Sequence, residues 1–246
     1  MATVVASGVE LLRQQKVALR TVMKRNLRNF PLELRQEEGR TRYRNPEPCV
    51  ICRLVQAEQF TLCLSELCVT AGSRHKSDCS ECLAEERPWE SEMAKELYVP
   101  RVLDREANMA MLHVSSTADL TTNSMGIVEP DFTDSDGKPR KSVLEATEPV
   151  DLLLLPGKLD LLQAFALHWI ILDSLYYDVF LQKYLQLVKD KNWKQPLLVA
   201  IAYSVQVVED PVPVGETDIP VDALVLSSGV LPISPFAQKH MNISQI

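Results

Sequence analysis

Hydrophobic residues recur every three or four positions along the first part of the chain. Between about Val9 and Gln36 they are Leu12, Leu19, Val22, Met23, Leu27, Phe30 and Leu34. This spacing places apolar side chains along one side of a helix. Pro31 has no N–H group to donate, so we expect it to break or restart that helix.

Further along, apolar residues occur in short runs that predict strands rather than helices. The strand-like runs are 96–102, 109–115, 150–155, 196–203 and 223–226. Tyr177–Lys189 instead has the apolar spacing of a helix with one wide buried side. A polar, turn-rich stretch containing Asp136-Gly137 extends to Pro149. The order of strand, helix, strand, loop and strand in the C-terminal half predicts an α/β fold with a mostly parallel sheet.

Length and charge narrow the class of protein. The 246 residues are 46% hydrophobic and carry a net charge of −7, which predicts one globular domain, 1–246, and argues against nucleic acid or an anionic membrane as partner. We expect a monomer in the cytoplasm, with a mitochondrial location as the alternative. Arg13–Arg44 is nonetheless basic, which indicates either a solvated helix face or an anion-binding element.

Glycine is scarce, and its placement excludes one kind of site. The chain has eight glycines, all single, and no G-x-G. Glycine-rich loops cradle phosphates through backbone N–H groups that side chains would keep away. The chain therefore has no standard glycine-rich nucleotide fingerprint.

All six cysteines lie between Cys49 and Cys82. The pairs Cys49-x-x-Cys52 and Cys79-x-x-Cys82 have the spacing of zinc knuckles. The absence of glycine after either pair and the 26 residues between them argue against a zinc site. Structural zinc and incidental cysteines in an insertion both stay open.

Six motifs in order carry a resemblance to a known family. They are Lys16-x-x-Leu19-Arg20 with Lys24 and Leu27-Arg28, Tyr98-Val99-Pro100-Arg101, Asp151 to Pro156-Gly157, Tyr176-Tyr177-Asp178, Ala202-Tyr203-x-x-Gln206, and Thr217-Asp218-x-x-Val221-Asp222. Together they resemble 5-formyltetrahydrofolate cyclo-ligases, also called methenyltetrahydrofolate synthetases. The resemblance implies a three-layer α/β fold of the NagB/RpiA-like type.

The resemblance also implies chemistry and site residues. The family uses ATP and Mg²⁺ to convert 5-formyltetrahydrofolate to 5,10-methenyltetrahydrofolate in folate one-carbon metabolism. It implies that Lys16, Arg20 and Tyr177 contact ATP, that Arg20 and Tyr176 contact the folate, and that Asp178 and Asp222 hold Mg²⁺. No catalytic residue is assigned. Two nonfunctional alternatives apply to the same residues: Tyr177 as core and Asp178 as a carboxylate that stabilises a helix N-terminus.

Two segments depart from the family pattern. Residues 158–175 contain neither glycine nor arginine where the family has a glycine-rich ATP loop, and we expect a helix or a collapsed apolar segment there. The Cys-rich segment 45–93 occupies the place of the family's first core strand and folate loop, and we expect no counterpart of that strand. Activity is therefore expected to be reduced or lost, and a noncatalytic folate-binding protein or a zinc-binding interaction protein is the alternative.

Overall fold

A computed structural model describes the backbone of most of the chain. The described residues are 2–43, 62–64, 96–104, 106–116, 119–123, 128–156, 165–166, 169–170, 175–207, 212–215 and 218–240. None of the helices in these ranges is long and apolar enough to cross a bilayer.

Two helices form the N-terminal part, as predicted. Helix α1 spans Ala2–Asn29 and α2 spans Leu32–Tyr43, with the break at Phe30 and Pro31. Met23 and Leu27 are buried on the inner side of α1. The predicted apolar side is too wide, however, because Val22 is 40% exposed and Leu34 is 47% exposed.

A seven-stranded sheet forms the centre of the molecule, in the order β11, β10, β9, β6, β1, β2, β3. Its strands are β1 (Leu62–Leu64), β2 (Leu97–Val102), β3 (Met109–Val114), β6 (Leu152–Pro156), β9 (Leu197–Ile201), β10 (Ala223–Leu226) and β11 (Gly229–Pro232). Neighbouring strands from β10 to β2 are parallel, whereas the outermost pairs β10–β11 and β2–β3 are antiparallel. The α/β class and the mostly parallel sheet are thus confirmed.

The Cys-rich segment contributes a central strand, which corrects our expectation that the first core strand has no counterpart. Strand β1 lies between β6 and β2, with Leu62 opposite both Leu152 and Leu97. Its backbone pairs with both neighbours, so the sheet is continuous from β11 to β3. The unusual composition of the segment therefore does not remove this strand from the sheet.

Helix α3 (Leu175–Asp190) covers one face of the sheet. Leu153 and Leu155 of β6 point to this face and pack in one cluster with Phe180 and Tyr184 of α3. Side chains alternate along a strand, so Leu152 and Leu154 point to the opposite face, where both are buried. Burial of each such side chain contributes about 1.5–3 kcal/mol, which explains why a fully apolar run forms this strand.

Smaller elements complete the chain. They are the strands β4 (Leu120–Thr122), β5 (Val128–Pro130), β7 (Phe165–Ala166) and β8 (Trp169–Ile170), the 3-10 turns Val143–Glu145 and Ser204–Gln206, and helix α4 (Pro235–His240). Strands β7 and β8 pair antiparallel. Within 158–175 the structure describes only this ladder and Leu175, the first residue of α3, so the helix or collapsed apolar segment expected there stays a prediction.

Candidate functional site

The five strands from β10 to β2 run in the same direction. They therefore all begin at one edge of the sheet and all end at the opposite edge. Ligands of open α/β sheets bind at the edge where the strands end. The described segments at this edge include residues 103–104 after β2, the first turn of α3, and residues 202–206 after β9.

The first turn of α3 carries Tyr176, Tyr177 and Asp178. The Tyr176 hydroxyl donates a hydrogen bond of 2.9 Å to the carbonyl oxygen of Asp104, which ties the helix start to the end of β2. The side-chain amide of Asn108 donates to the Asp104 carboxylate at 2.7 Å and lowers its pKa. Tyr177 is 6% exposed and belongs to the core cluster, whereas Asp178 is half-buried. The structure therefore brings these predicted residues to the edge where ligands bind.

Lys16 and Arg20 lie on the half-buried side of α1, four residues apart. Residues at this spacing are neighbours on a helix surface, as the sequence predicts. The Lys16 ammonium donates to both carboxylate oxygens of Asp218, at 2.7 Å and 2.6 Å. One predicted ATP ligand is thus already held by a carboxylate in this structure.

Asp222 lies at the edge where strands begin, because its N–H donates to the carbonyl oxygen of Leu198 in β9 at 2.7 Å. Its carboxylate accepts hydrogen bonds from the Leu198 N–H at 2.9 Å and from the Ser234 hydroxyl at 2.5 Å. Asp222 thereby joins β9 to the segment that leads into α4. Asp178 lies toward the other edge, so the two carboxylates do not meet in one site and do not fit a shared Mg²⁺. Within the described ranges, no group of three or more His, Cys, Asp or Glu side chains has a metal-binding arrangement.

The segment after β9 packs against the N-terminal helices. The Tyr203 ring makes an edge contact with Phe30, with 5.8 Å between ring centroids, and the Ser204 N–H donates to Glu38 at 2.9 Å. The Gln206 side chain is fully buried and accepts the Tyr203 N–H at 2.8 Å, while its amide nitrogen has no hydrogen-bond partner. The Gln206 side chain thus stabilises the turn after β9 through the Tyr203 backbone N–H, a role that needs no ligand.

Sequence reasoning assigned no role to Asp218, although it lies in a quoted motif. Its partner Lys16 is 202 residues away along the chain, so no local spacing reveals the pair. The available signal was a second carboxylate four residues before Asp222, which the resemblance left without a function.

A comparison with curated proteins identifies the family. The chain is 37% identical over 242 residues to a protein of Arabidopsis thaliana named "5-formyltetrahydrofolate cyclo-ligase, mitochondrial"; the match covers 93% of this chain and 79% of that protein. The chain belongs to the 5-formyltetrahydrofolate cyclo-ligase family. No family model matches it.

A solved structure supports the cyclo-ligase fold. The NMR structure of Aquifex aeolicus 5,10-methenyltetrahydrofolate synthetase matches with a TM-score of 0.56 and 25% identity, over 89% of this chain and 92% of that one. The predicted family and fold are therefore confirmed. The family is one of ATP-dependent ligases that act on folate.

Two of the sequence predictions concern residues that lie wholly or mostly outside the described ranges. The knuckle cysteines Cys49, Cys52, Cys79 and Cys82 lie outside the described residues. Most of 158–175 lies outside them too, so the consequence of its missing glycines for ATP binding stays a prediction.

Proposed function

We propose that this chain catalyses the ATP-dependent conversion of 5-formyltetrahydrofolate to 5,10-methenyltetrahydrofolate. The observation that carries the proposal is 37% identity to a cyclo-ligase over almost the whole chain. The position of Tyr176, half-buried beside the end of β2 at the edge where ligands of α/β sheets bind, supports it. In the family reaction, ATP phosphorylates the formyl oxygen, N10 attacks, and the ring closes with release of ADP and phosphate.

The chain's own residues supply two parts of this chemistry. Lys16 and Arg20 would provide positive charge to the phosphates, which is the main electrostatic requirement of phosphoryl transfer. Tyr177 would contact the nucleotide, and Tyr176 and Arg20 would contact the folate. The fixed start of α3 would hold both tyrosines in place, because the Tyr176 hydroxyl is bonded to the Asp104 backbone.

Mg²⁺ would supply charge neutralisation at the phosphates when bound. Asp178 and Asp222 are the proposed ligands, but their separation and the two hydrogen bonds accepted by Asp222 count against a joint site. We therefore derive no step through the ion, and the assignment stays a prediction for each carboxylate separately.

We further propose that turnover is reduced compared with ordinary family members. Residues 158–175 contain no glycine, and backbone N–H groups approach phosphates closely only where side chains are absent. A weaker phosphate cradle raises the free energy of the transition state because the developing charge meets fewer donors. If the weaker phosphate cradle abolished turnover altogether, the chain would be a noncatalytic folate-binding protein.

The decisive experiment incubates the purified chain with 5-formyltetrahydrofolate and Mg·ATP and follows the methenyl chromophore. We expect slow ATP-dependent turnover that Asp178→Ala abolishes, while Glu10→Gln, at an exposed position on α1, leaves it unchanged. Turnover equal to that of ordinary members would contradict the proposed reduction. No turnover together with retained folate binding would identify the noncatalytic alternative, and full activity of Asp178→Ala would contradict its role as a metal ligand.

We also propose a mitochondrial location in place of the cytoplasmic one. The support is that the Arabidopsis thaliana relative is named as a mitochondrial protein. The full chain with a C-terminal fluorescent protein should colocalise with a mitochondrial marker when expressed in plant cells. Diffuse cytoplasmic fluorescence would contradict the proposal.

A further inference from the structure

The turn between β2 and β3 is held by side chains from two successive turns of α3. The Tyr176 hydroxyl donates to the backbone carbonyl oxygen of Asp104 at 2.9 Å, and the Lys183 ammonium donates to the side-chain oxygen of Asn108 at 3.0 Å. Tyr176 and Lys183 are separated by about two helical turns, so both lie on the same side of α3. The helix therefore contacts the turn both where it leaves β2 and where it enters β3.

The Asp104 carboxylate connects these two contacts. Its Oδ1 atom accepts the N–H groups of Glu106 and Asn108, at 2.7 Å and 3.2 Å. Its Oδ2 atom accepts the Asn108 side-chain amide at 2.7 Å. The carboxylate therefore links the residue that accepts from Tyr176 to the residue that accepts from Lys183.

The backbone of the turn explains why it needs this support. Ala107 has a φ of 67°, in the left-handed region that residues with a Cβ atom rarely adopt. The two N–H groups that the Asp104 carboxylate accepts lie on either side of Ala107. Without the carboxylate, we expect the turn to relax and to move the Asp104 carbonyl oxygen with it.

The contact with Asp104 also fixes the direction of the Tyr176 hydroxyl. A phenol has one O–H donor, and here it is directed to a backbone carbonyl oxygen. Toward a ligand at this edge of the sheet, the hydroxyl oxygen can then only accept a hydrogen bond. The reduced pterin of 5-formyltetrahydrofolate carries N–H groups, which are matching donors.

We propose that Asp104 is a positioning residue that holds the Tyr176 hydroxyl as a hydrogen-bond acceptor for an N–H group of the folate. The proposal rests on the proposed function, in which Tyr176 contacts the folate. Asp104 acts through its turn and through Tyr176, without touching the substrate. Part of the cost of ordering the tyrosine is then met before the folate binds, which lowers the KM for the folate. The KM for ATP does not depend on this turn.

The test compares Asp104→Ala, Tyr176→Phe and the double variant with wild type, all as the full chain. We expect Asp104→Ala to raise the KM for 5-formyltetrahydrofolate about 3- to 10-fold, with the KM for ATP and the kcat within about 2-fold. Tyr176→Phe should raise the same KM. The double variant should exceed Tyr176→Phe by less than about 2-fold, because both changes remove one interaction. Multiplied effects in the double variant, or an unchanged folate KM in Asp104→Ala, overturn the proposal.

Asp134→Ala is the matched control. The Asp134 carboxylate accepts the N–H groups of Asp136 and Lys138, at 2.9 Å and 2.8 Å, with the same spacing of two and four residues as at Asp104. It stabilises the loop after β5 in the same way, so the control removes an equivalent carboxylate. Both KM values should stay unchanged. An equal rise in the folate KM would show a general effect of weakened turns and would overturn the proposal.

A second variant and a binding measurement cover the other outcomes. If Asp104→Ala does not fold, Asn108→Ala opens the same connection at its other end and should raise the folate KM in the same way; an unchanged KM then overturns the proposal. If wild type shows no turnover, calorimetric titration with 5-formyltetrahydrofolate replaces kinetics. Weaker folate binding by Asp104→Ala, but not by Asp134→Ala, then supports the role of Asp104 although the proposed function fails. Equal affinities, or no folate binding by wild type, overturn it.

Discussion

Arg140 shows how one side chain can organise several loops. It is 5% exposed and pairs with Asp119 at 3.1 Å, and its other N–H groups donate to the carbonyl oxygens of His113 and Asp131. Asp119 also accepts the N–H groups of two serines after β3. Burial opposes the charged form of Asp119, but these donors outweigh it and lower its pKa. The pair therefore joins the end of β3 to the loop after β5.

This pair predicts a pH-dependent loss of stability in Asp119→Asn. The variant keeps an acceptor oxygen but leaves the Arg140 charge without its partner, so we expect a loss of about 1–3 kcal/mol at pH 7. A carboxyl whose folded pKa is lowered stabilises the protein above its unfolded pKa, near 3.9, and that stabilisation is lost as pH falls through the folded value. The difference from wild type should shrink as pH falls below about 4.

Urea unfolding at pH 7, 5, 4 and 3.5 measures this difference. Lys138→Gln is the matched control, because Lys138 and Asp136 are both more than 70% exposed and 4.0 Å apart; it should change stability by less than about 0.5 kcal/mol at each pH. A difference between Asp119→Asn and wild type that is independent of pH would show that the charge of Asp119 does not contribute.

At the scale of elements, strongly periodic segments were predictable and short ones were not. Helix α3 and strand β10 follow from apolar spacing alone, because each buries a complete apolar side or run. Strand β1 has three residues, and such a run has too little length to show a period. It forms because both neighbours offer unpaired backbone groups, which is a property of the assembled sheet. The hairpin of β10 and β11 was missed because Pro232 and neighbouring prolines made the tail resemble a loop.

The candidate site also has features that were predictable from the sequence and features that were not. The spacing of Lys16 and Arg20 on one helix side was predictable, since it depends only on helix geometry. Contact between Lys16 and Asp218 was not, because 202 residues separate them. The resemblance implied that Asp222 is a metal ligand, which stays a prediction; the structure shows that its carboxylate accepts hydrogen bonds from Leu198 and Ser234. A carboxylate that ends a motif can thus serve strand pairing, a use that sequence spacing does not distinguish from metal binding.

The whole molecule depends on a continuous sheet that passes through the Cys-rich segment. Strand β6 has parallel neighbours on both sides, β1 and β9. Helix α3 covers one of its faces, and its leucines are buried on both. Strand β9 likewise has two neighbours, β6 and β10. Strands β6 and β9 are thus equivalent interior strands, although one of the three pairings that flank them, β1–β6, involves the Cys-rich segment.

Hydrogen exchange can test this continuity. Amides of a parallel strand point alternately to its two neighbours, so about half of the β6 amides depend on β1 for partners. We expect all amides of β6 to exchange as slowly as those of β9, through global unfolding, and more slowly than those of β11. If β1 did not pair, alternate β6 amides would exchange at rates closer to those of an outer strand. Cys63→Ser, which keeps the β1 backbone, should leave the pattern unchanged, whereas Cys63→Pro should disrupt the pairing of this interior strand and speed exchange of the β6 amides that face it.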